Sequence, residues 1–384
     1  MTRLVAAAAA LVLCSGCIIL PVIPTDRAER VPPVTAPGFK LAPDERRLWR
    51  DAEELEARAR KSGAVLEDPP LERYLVGVAR RLAPRGALDH LDVRVRVIES
   101  PALTAFVAPN GAVFVSMGML ARLENEAQLA MVLGHELTHA VNRHSLVEYR
   151  TVKGGLDSTA GLPFGLGALG TKAAVTGYSR DLEREADVEG LALLAAGGWD
   201  VREAPRPFEH LAEWVKEEKI EEPYTFATHP RLEERLESTR ALVKERYAGR
   251  SGGDVGGERY RQAVREVVLA TARLDLAAGR FGPAERGAEA YLALRPRSAE
   301  GLTVLADAAR QQGQEPRALE LYRKAVATDA GCAEAQRGLG LALSRRGERA
   351  GARTALRTYL KLAPAAVDRA WIEGELADLD RRTP

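Results

Sequence analysis

Five consecutive residues, His135-Glu136-Leu137-Thr138-His139, carry the most specific chemistry in the chain. On a helix, positions i and i+4 share one face, so both imidazoles can reach a single metal ion. Glu136 projects beside that pair, where its carboxylate can hydrogen-bond a water on the metal. Zinc held by such a set lowers the pKa of its water to about 7, and Glu136 can take the proton as the water attacks a peptide carbonyl. The bland alternative is a helix with two surface histidines and a solvated glutamate. The flanks Leu129, Met131, Val132, Leu133, Leu137, Ala140 and Val141 argue against it, because they make the helix a buried one. Unpaired His and Glu side chains would be costly there.

A third ligand is available in Tyr178-Ser179-Arg180-Asp181-Leu182-Glu183-Arg184-Glu185-Ala186-Asp187. Glu183 and Asp187 stand four apart on one helical face. Glu183 would complete a set of two histidines and one glutamate with a fourth position open, and Asp187 would accept the outer N–H of a ligating imidazole. Spacing alone leaves Glu185 as an alternative to Glu183. His144 tempts a HExxHxxGxxH reading, but Asn142 stands at the Gly place and His144 falls one residue early. It reads as a structural histidine.

Several elements must position these residues. The metal helix starts at Asn125, a good N-cap with Gln128 three residues on, and is expected to run to about His144. Upstream, Leu48, Ala52, Leu55 and Ala59 recur at helical spacing until Gly63, and Asp68-Pro69 opens a second helix that stops before Pro84. The period then changes to two. Leu91, Val93, Val95 and Val97 alternate with polar residues as a half-buried strand, and Leu103–Val107 and Ala112–Ser116 form two more around the Asn110-Gly111 turn. Ala112, Val113, Phe114 and Val115 precede the metal helix and are the expected edge for an extended substrate. Residues 153–170, rich in Gly, Leu and Ala, read as a flexible loop, and a helix runs from after Ser179 to Gly197-Gly198.

The rest of the chain frames this domain. Leu4 to Leu13 form an apolar run too short to span a bilayer, followed by Cys14-Ser15-Gly16-Cys17. Residues 1–17 therefore read as a lipoprotein-type signal peptide with Cys17 as the lipidated residue, although Cys14 departs from the usual aliphatic residue three places earlier. Residues 18–43 hold six prolines and read as an extended tether. The composition, 46% apolar and 28% charged with a net charge of +1, is that of a folded protein and gives no basic surplus for nucleic acid. Cys332 is left alone and reads as a small buried apolar residue. Residues 249–257 read as a Gly-rich linker between separately folded units, residues 44–248 and 258–384. In the second unit Gly279, Gly313 and Gly347 are 34 residues apart, as are Ala284, Ala318 and Ala352, and Leu292, Val326 and Leu360. That period is the tetratricopeptide signature, giving repeats at about 266–299, 300–333 and 334–367 and a capping helix near Asp380.

The span from about residue 70 to 240 resembles the gluzincin family of HtpX and the CAAX prenyl endopeptidases. The resemblance rests on His135 to His139, Glu183-x-x-Ala186-Asp187, Thr104-Ala105-Phe106 before Asn110-Gly111, Asn125-Glu126, Arg143-His144 and Thr228-His229-Pro230. Within that family the chain resembles exported members with tetratricopeptide repeats, the BepA type. Pro205 and Pro207 depart from the pattern, standing where such proteins begin an uninterrupted helix. The resemblance implies an α+β, mostly helical zincin-like peptidase domain followed by an all-α tetratricopeptide solenoid. It selects Glu183 as the ligand and implies one zinc per chain and a His229 that faces the zinc cleft, either aiding the reaction or occupying the open position at rest. It further implies a metalloendopeptidase at the periplasmic face of a bacterial envelope, and the lipoprotein-type start with Cys17 adds the expectation of a lipid anchor in the outer membrane. Its substrates would be misfolded or unassembled envelope proteins, and a protein partner would sit on the repeats. The rival reading is a non-catalytic chaperone or assembly scaffold with a vestigial metal site.

Overall fold

A computed structural model describes residues 31–151, 178–218, 232–250 and 252–381. The signal segment with Cys17, the 153–170 stretch and Thr228-His229-Pro230 therefore lie outside the described residues.

The first domain is built from helices around a small sheet. Helix α1 (Pro43–Lys61) is followed by α2 (Pro69–Leu82), whose first turn is fixed by Asp68, which accepts a hydrogen bond from Leu71 N at 3.0 Å. Strands β1 (Arg94–Ile98), β2 (Ala105–Val107) and β3 (Ala112–Ser116) form one sheet in the order β1-β3-β2, with β1 parallel and β2 antiparallel to β3. This corrects the expectation for Ala112, Val113, Phe114 and Val115. They lie in the central strand, with both hydrogen-bonding edges occupied, and cannot receive a substrate strand. The Asn110-Gly111 turn, with Gly111 at φ 88°, zips β2 onto one side, while β1 takes the other. All five β3 residues are buried, as a strand covered on both faces requires. Strand β1 is likewise covered on its polar face, where Glu56 of α1 accepts from Arg96 Nε at 2.7 Å and Arg94 Nη2 at 3.0 Å.

Two more corrections concern chain ends. The metal helix α4 (Glu126–Val141) follows the short α3 (Met117–Arg122) and stops three residues sooner than its apolar pattern implied. Arg143 takes a left-handed φ of 58° and α5 (His144–Thr151) begins anew. The Pro-rich tether is also packed from its far end. Val34 is buried, its N–H donates to Val141 O at 2.9 Å, and Arg143 Nη1 donates to Pro32 O at 2.9 Å. Ordered structure thus starts well before Pro43.

Helix α6 (Arg180–Ala196) crosses α4 and ends, as its sequence predicts, at Gly197 and Gly198. The prolines at 205 and 207 open α7 (Arg206–Glu218), with Pro205 O accepting the first helical bonds, so neither interrupts a helix. Helix α8 (Leu232–Arg246) completes the domain.

The repeats pair as α9 (Gly257–Ala277) with α10 (Phe281–Leu294), α11 (Ala299–Gln311) with α12 (Glu315–Thr328), and α13 (Ala333–Arg345) with α14 (Arg349–Leu362), capped by α15 (Arg369–Arg381). Gly279, Gly313 and Gly347 turn each pair with φ of 76°, 76° and 77°, and Ala284, Ala318 and Ala352 are fully buried where the helices touch. The Gly-rich stretch before them is not a free linker. Asp254 N donates to Gly198 O at 3.0 Å, and Val255 O accepts from Ala127 N at 3.1 Å. Buried Tyr260 of α9 donates to Leu120 O at 2.6 Å, and Val264, Val267 and Val268 join the core of the first domain.

Candidate metal centre

Helix α4 presents His135 and His139 one turn apart, and α6 brings Glu183 across to them. The close approach is possible because the helices cross at Gly134 and Gly190, where a Cβ on Gly190 would lie 2.8 Å from His135 N. Nε2 of His135 and Nε2 of His139 are 3.0 Å apart, and Glu183 places Oε2 3.5 Å from His135 Nε2 and Oε1 3.5 Å from His139 Nε2. A tetrahedral zinc with bonds of about 2.0–2.1 Å has ligand–ligand edges of about 3.3 Å, so the triangle has the size of a zinc site. Exposures of 5%, 0% and 3% put the three residues inside the protein. Glu185, left open by spacing, points elsewhere: it accepts from Asn142 Nδ2 at 2.7 Å.

The far side of each imidazole is also engaged. Asp187 Oδ1 lies 2.9 Å from His135 Nδ1, and His144 Nδ1 lies 2.8 Å from His139 Nδ1. The Tyr178 ring stacks on His139 at 3.9 Å between centroids, and its hydroxyl pairs with Ser145 Oγ at 2.9 Å. Arg235 of α8, which no motif spacing singled out, reaches Glu183 Oε2 at 3.0 Å and Asp187 Oδ1 at 2.6 Å. Its only signal in the sequence is a place early in the helix that follows Thr228-His229-Pro230.

Charge tests the fit to a metal. Glu136, Glu183 and Asp187 are buried together, with Arg235 the cation against them among the described residues. Burial raises the pKa of Asp187, but Arg235 and His135 outweigh it and hold the carboxyl well below the usual range. Burial likewise works against the charge on Arg235, and Asp187 and Glu183 more than restore it. Two imidazoles with one carboxylate are the donor set that zinc favours, and the neighbouring carboxylates of Glu136 and Asp187 add negative charge that suits a divalent cation.

Glu136 and His135 line an open cleft beside the triangle, with a volume of about 60 Å³. Its walls are Leu103, Thr104 and Ala105 on the approach to β2, Met131 and Val132 of α4, Phe208 and Leu211 of α7, and Leu232 and Arg235 of α8. The cleft is thus bordered by the outer strand β2, not by β3.

Comparison with known proteins agrees with this geometry. Residues 69–243 match Peptidase family M48, and residues 269–331 and 303–367 match the Tetratricopeptide repeat. The mitochondrial metalloendopeptidase OMA1 of Arabidopsis thaliana is 29% identical over 215 residues, covering 50% of this chain and 42% of that protein. The putative beta-barrel assembly-enhancing protease of Vibrio cholerae is 26% identical over 253 residues, covering 61% of this chain and 52% of its own. The chain thus spans about half the length of the curated relatives it matches.

Proposed function

From a chain that carries a peptidase family M48 domain followed by tetratricopeptide repeats, we propose a zinc-dependent metalloendopeptidase of the bacterial envelope. Its substrates are misfolded or unassembled envelope proteins. The observation that carries this reading is the buried triangle of His135, His139 and Glu183 with Glu136 lining a cleft beside it.

Zinc, when bound, supplies a Lewis acid that polarises the peptide carbonyl and acidifies water. The chain's residues do the rest. His135, His139 and Glu183 would hold the ion, and Asp187 accepts from His135 Nδ1, which fixes that ring and leaves Nε2 free to act as the ligand atom. Arg235 locks Glu183 and Asp187 in place through its two terminal nitrogens. Glu136 takes a proton from the attacking water and passes it to the leaving amine. As an outer strand of the described sheet, β2 would offer backbone groups to an extended substrate, which suits an enzyme that reads unfolded chains. His229 is assigned to the cleft by family resemblance alone, and its replacement by Ala should change the cleavage rate while leaving zinc in place.

The lipoprotein-like start of the sequence supports this location, and so does the likeness to a putative beta-barrel assembly-enhancing protease of Vibrio cholerae. A lipid on Cys17 would anchor the chain to the outer membrane, and a partner or substrate segment would occupy the repeats. Zinc content and casein cleavage, measured together on the whole chain, test the central proposal. A chain that folds with stoichiometric zinc and cleaves nothing would favour the scaffold reading.

A further inference from the structure

The residue that backs His139 is a second histidine, and the chain is bent to put it there. Had α4 continued, His144 would sit five positions beyond His139, about 7.5 Å further along the axis and on a different face. The helix instead ends at Val141, and Arg143 adopts φ 58°, a left-handed conformation that residues other than Gly seldom take. The turn brings the His144 ring back so that its Nδ1 lies 2.8 Å from Nδ1 of His139, with ring centroids 4.9 Å apart and planes at 78°.

The bend is held from outside. Arg143 Nε donates to Glu45 Oε1 at 2.7 Å, its Nη2 also reaches Glu45, and its Nη1 donates to Pro32 O. Glu45 is buried at 2% exposure, so this pair is fixed between α1 and the end of the tether. His144 is buried as well, at 1%, and Glu185 Oε1 lies 3.7 Å from its Nε2.

Two ring nitrogens 2.8 Å apart share one proton, and the metal decides which ring owns it. Once Nε2 of a neutral His139 gives its lone pair to a cation, the remaining hydrogen must be on Nδ1. His139 then donates, His144 accepts through Nδ1, and His144 carries its own hydrogen on Nε2, toward Glu185. We propose that His144 is a positioning residue for the metal centre: it fixes the tautomer and ring plane of His139 as Asp187 does for His135, and the Arg143–Glu45 pair places it. The two ligating histidines would then be backed by unlike groups, one anionic and one neutral. The inference rests on the zinc reading of the site but not on peptidase activity.

Zinc affinity of the full-length chain, measured by competition with a chromogenic chelator, tests it. His144→Leu, which cannot accept a hydrogen bond, should weaken zinc binding about 10–100-fold. His144→Asn, whose Oδ1 can take the place of Nδ1, should restore most of that loss. A His144→Leu chain that folds and binds zinc within twofold of wild type would overturn the proposal, as would a His144→Asn chain no better than His144→Leu. If His144→Leu fails to fold, NMR of the zinc-loaded wild type with nitrogen-labelled histidine decides instead. A proton on His139 Nδ1 with coupling across to His144 Nδ1 is expected, and a His139 Nδ1 without that coupling would overturn the proposal. A wild-type chain that binds zinc without cleaving casein would remove the peptidase reading and leave this one standing.

Discussion

Gly134 and Gly190 meet backbone to backbone: a Cβ built on Gly134 would lie 3.0 Å from Gly190 O, and one on Gly190 would lie 2.8 Å from His135 N. The contact sits one residue before the first histidine and two turns after Glu183, so it sets the distance across which the carboxylate must reach. Gly190→Ala should push α6 outward, at a cost of about 1–3 kcal/mol, and draw Glu183 away from the imidazoles. Zinc affinity should fall about tenfold or more, and Gly134→Ala, whose closest contact is longer, should do less harm. Unchanged zinc affinity in Gly190→Ala would show that the crossing is not what positions Glu183.

Glu136→Gln separates binding from chemistry. The carboxamide keeps the shape of the side chain and removes its ability to take a proton, while His135, His139 and Glu183 are untouched. Zinc content should stay at one per chain, and casein cleavage should fall about 10²–10⁴-fold. A variant that cleaves as fast as wild type would strip Glu136 of its role as general base.

The histidine pair was legible in the sequence because helical spacing is rigid, so His135 and His139 can be placed without knowing the fold; spacing left Glu183 and Glu185 both open, and the family resemblance chose between them. The supports of these ligands were not legible. Arg235 comes from a helix whose approach depends on the whole domain, and Gly134 and Gly190 look like weak points in two helices until the crossing is seen. The end of α4 was hidden because Arg143 takes a conformation that Gly or Asn would have advertised. The position of β3 was misread as an edge, although its unbroken apolar run Ala112–Val115 already carried the signature of a central strand. At the domain boundary composition misled outright, since Asp254 and Val255 are hydrogen-bonded into the first domain.

That boundary yields a prediction opposite to what a flexible linker implies. A chain ending at Tyr247 would lose Tyr260, Val264, Val267 and Val268 from the core and the Arg259 guanidinium from Glu126 at the start of the metal helix. It should fail to hold zinc and should lack a cooperative thermal transition. A chain ending after Thr328 keeps two helix pairs against that core and should retain both. Tight zinc binding by the shorter chain would restore the picture of two independent units.

Glu126 also gives the fold an acid-sensitive point. Burial raises its pKa, but hydrogen bonds from Arg259, Tyr74 and Trp199 lower it further, leaving the folded-state value below the ordinary 4.5. A depressed carboxyl stabilises the native state above its unfolded value and loses that contribution as pH falls through the folded value. Wild type should therefore be more stable than Glu126→Gln at pH 7, and the gap should narrow as pH drops below about 4.5. Urea unfolding at several pH values measures this, and a constant gap would exclude Glu126 as its source.

The cleft beside Glu136 makes a prediction about sequence preference. One wall comes from the segment leading into β2, so a substrate strand lying along β2 would carry one side chain next to the scissile bond into the cleft. Met131, Val132, Phe208, Leu211 and Leu232 line it and offer that side chain an apolar surface. Burying a Leu, Ile, Met or Phe side chain there is worth about 1.5–3 kcal/mol, or roughly ten- to a hundredfold in rate if the contact persists in the transition state. Cleavage of unfolded casein, mapped by mass spectrometry, should be enriched for large apolar residues flanking the cut. Leu211→Trp, which narrows the cleft away from the metal ligands, should shift that preference toward small residues with zinc content unchanged. Cut sites with no apolar enrichment, and the same sites in wild type and Leu211→Trp, would mean that substrate side chains do not enter the cleft.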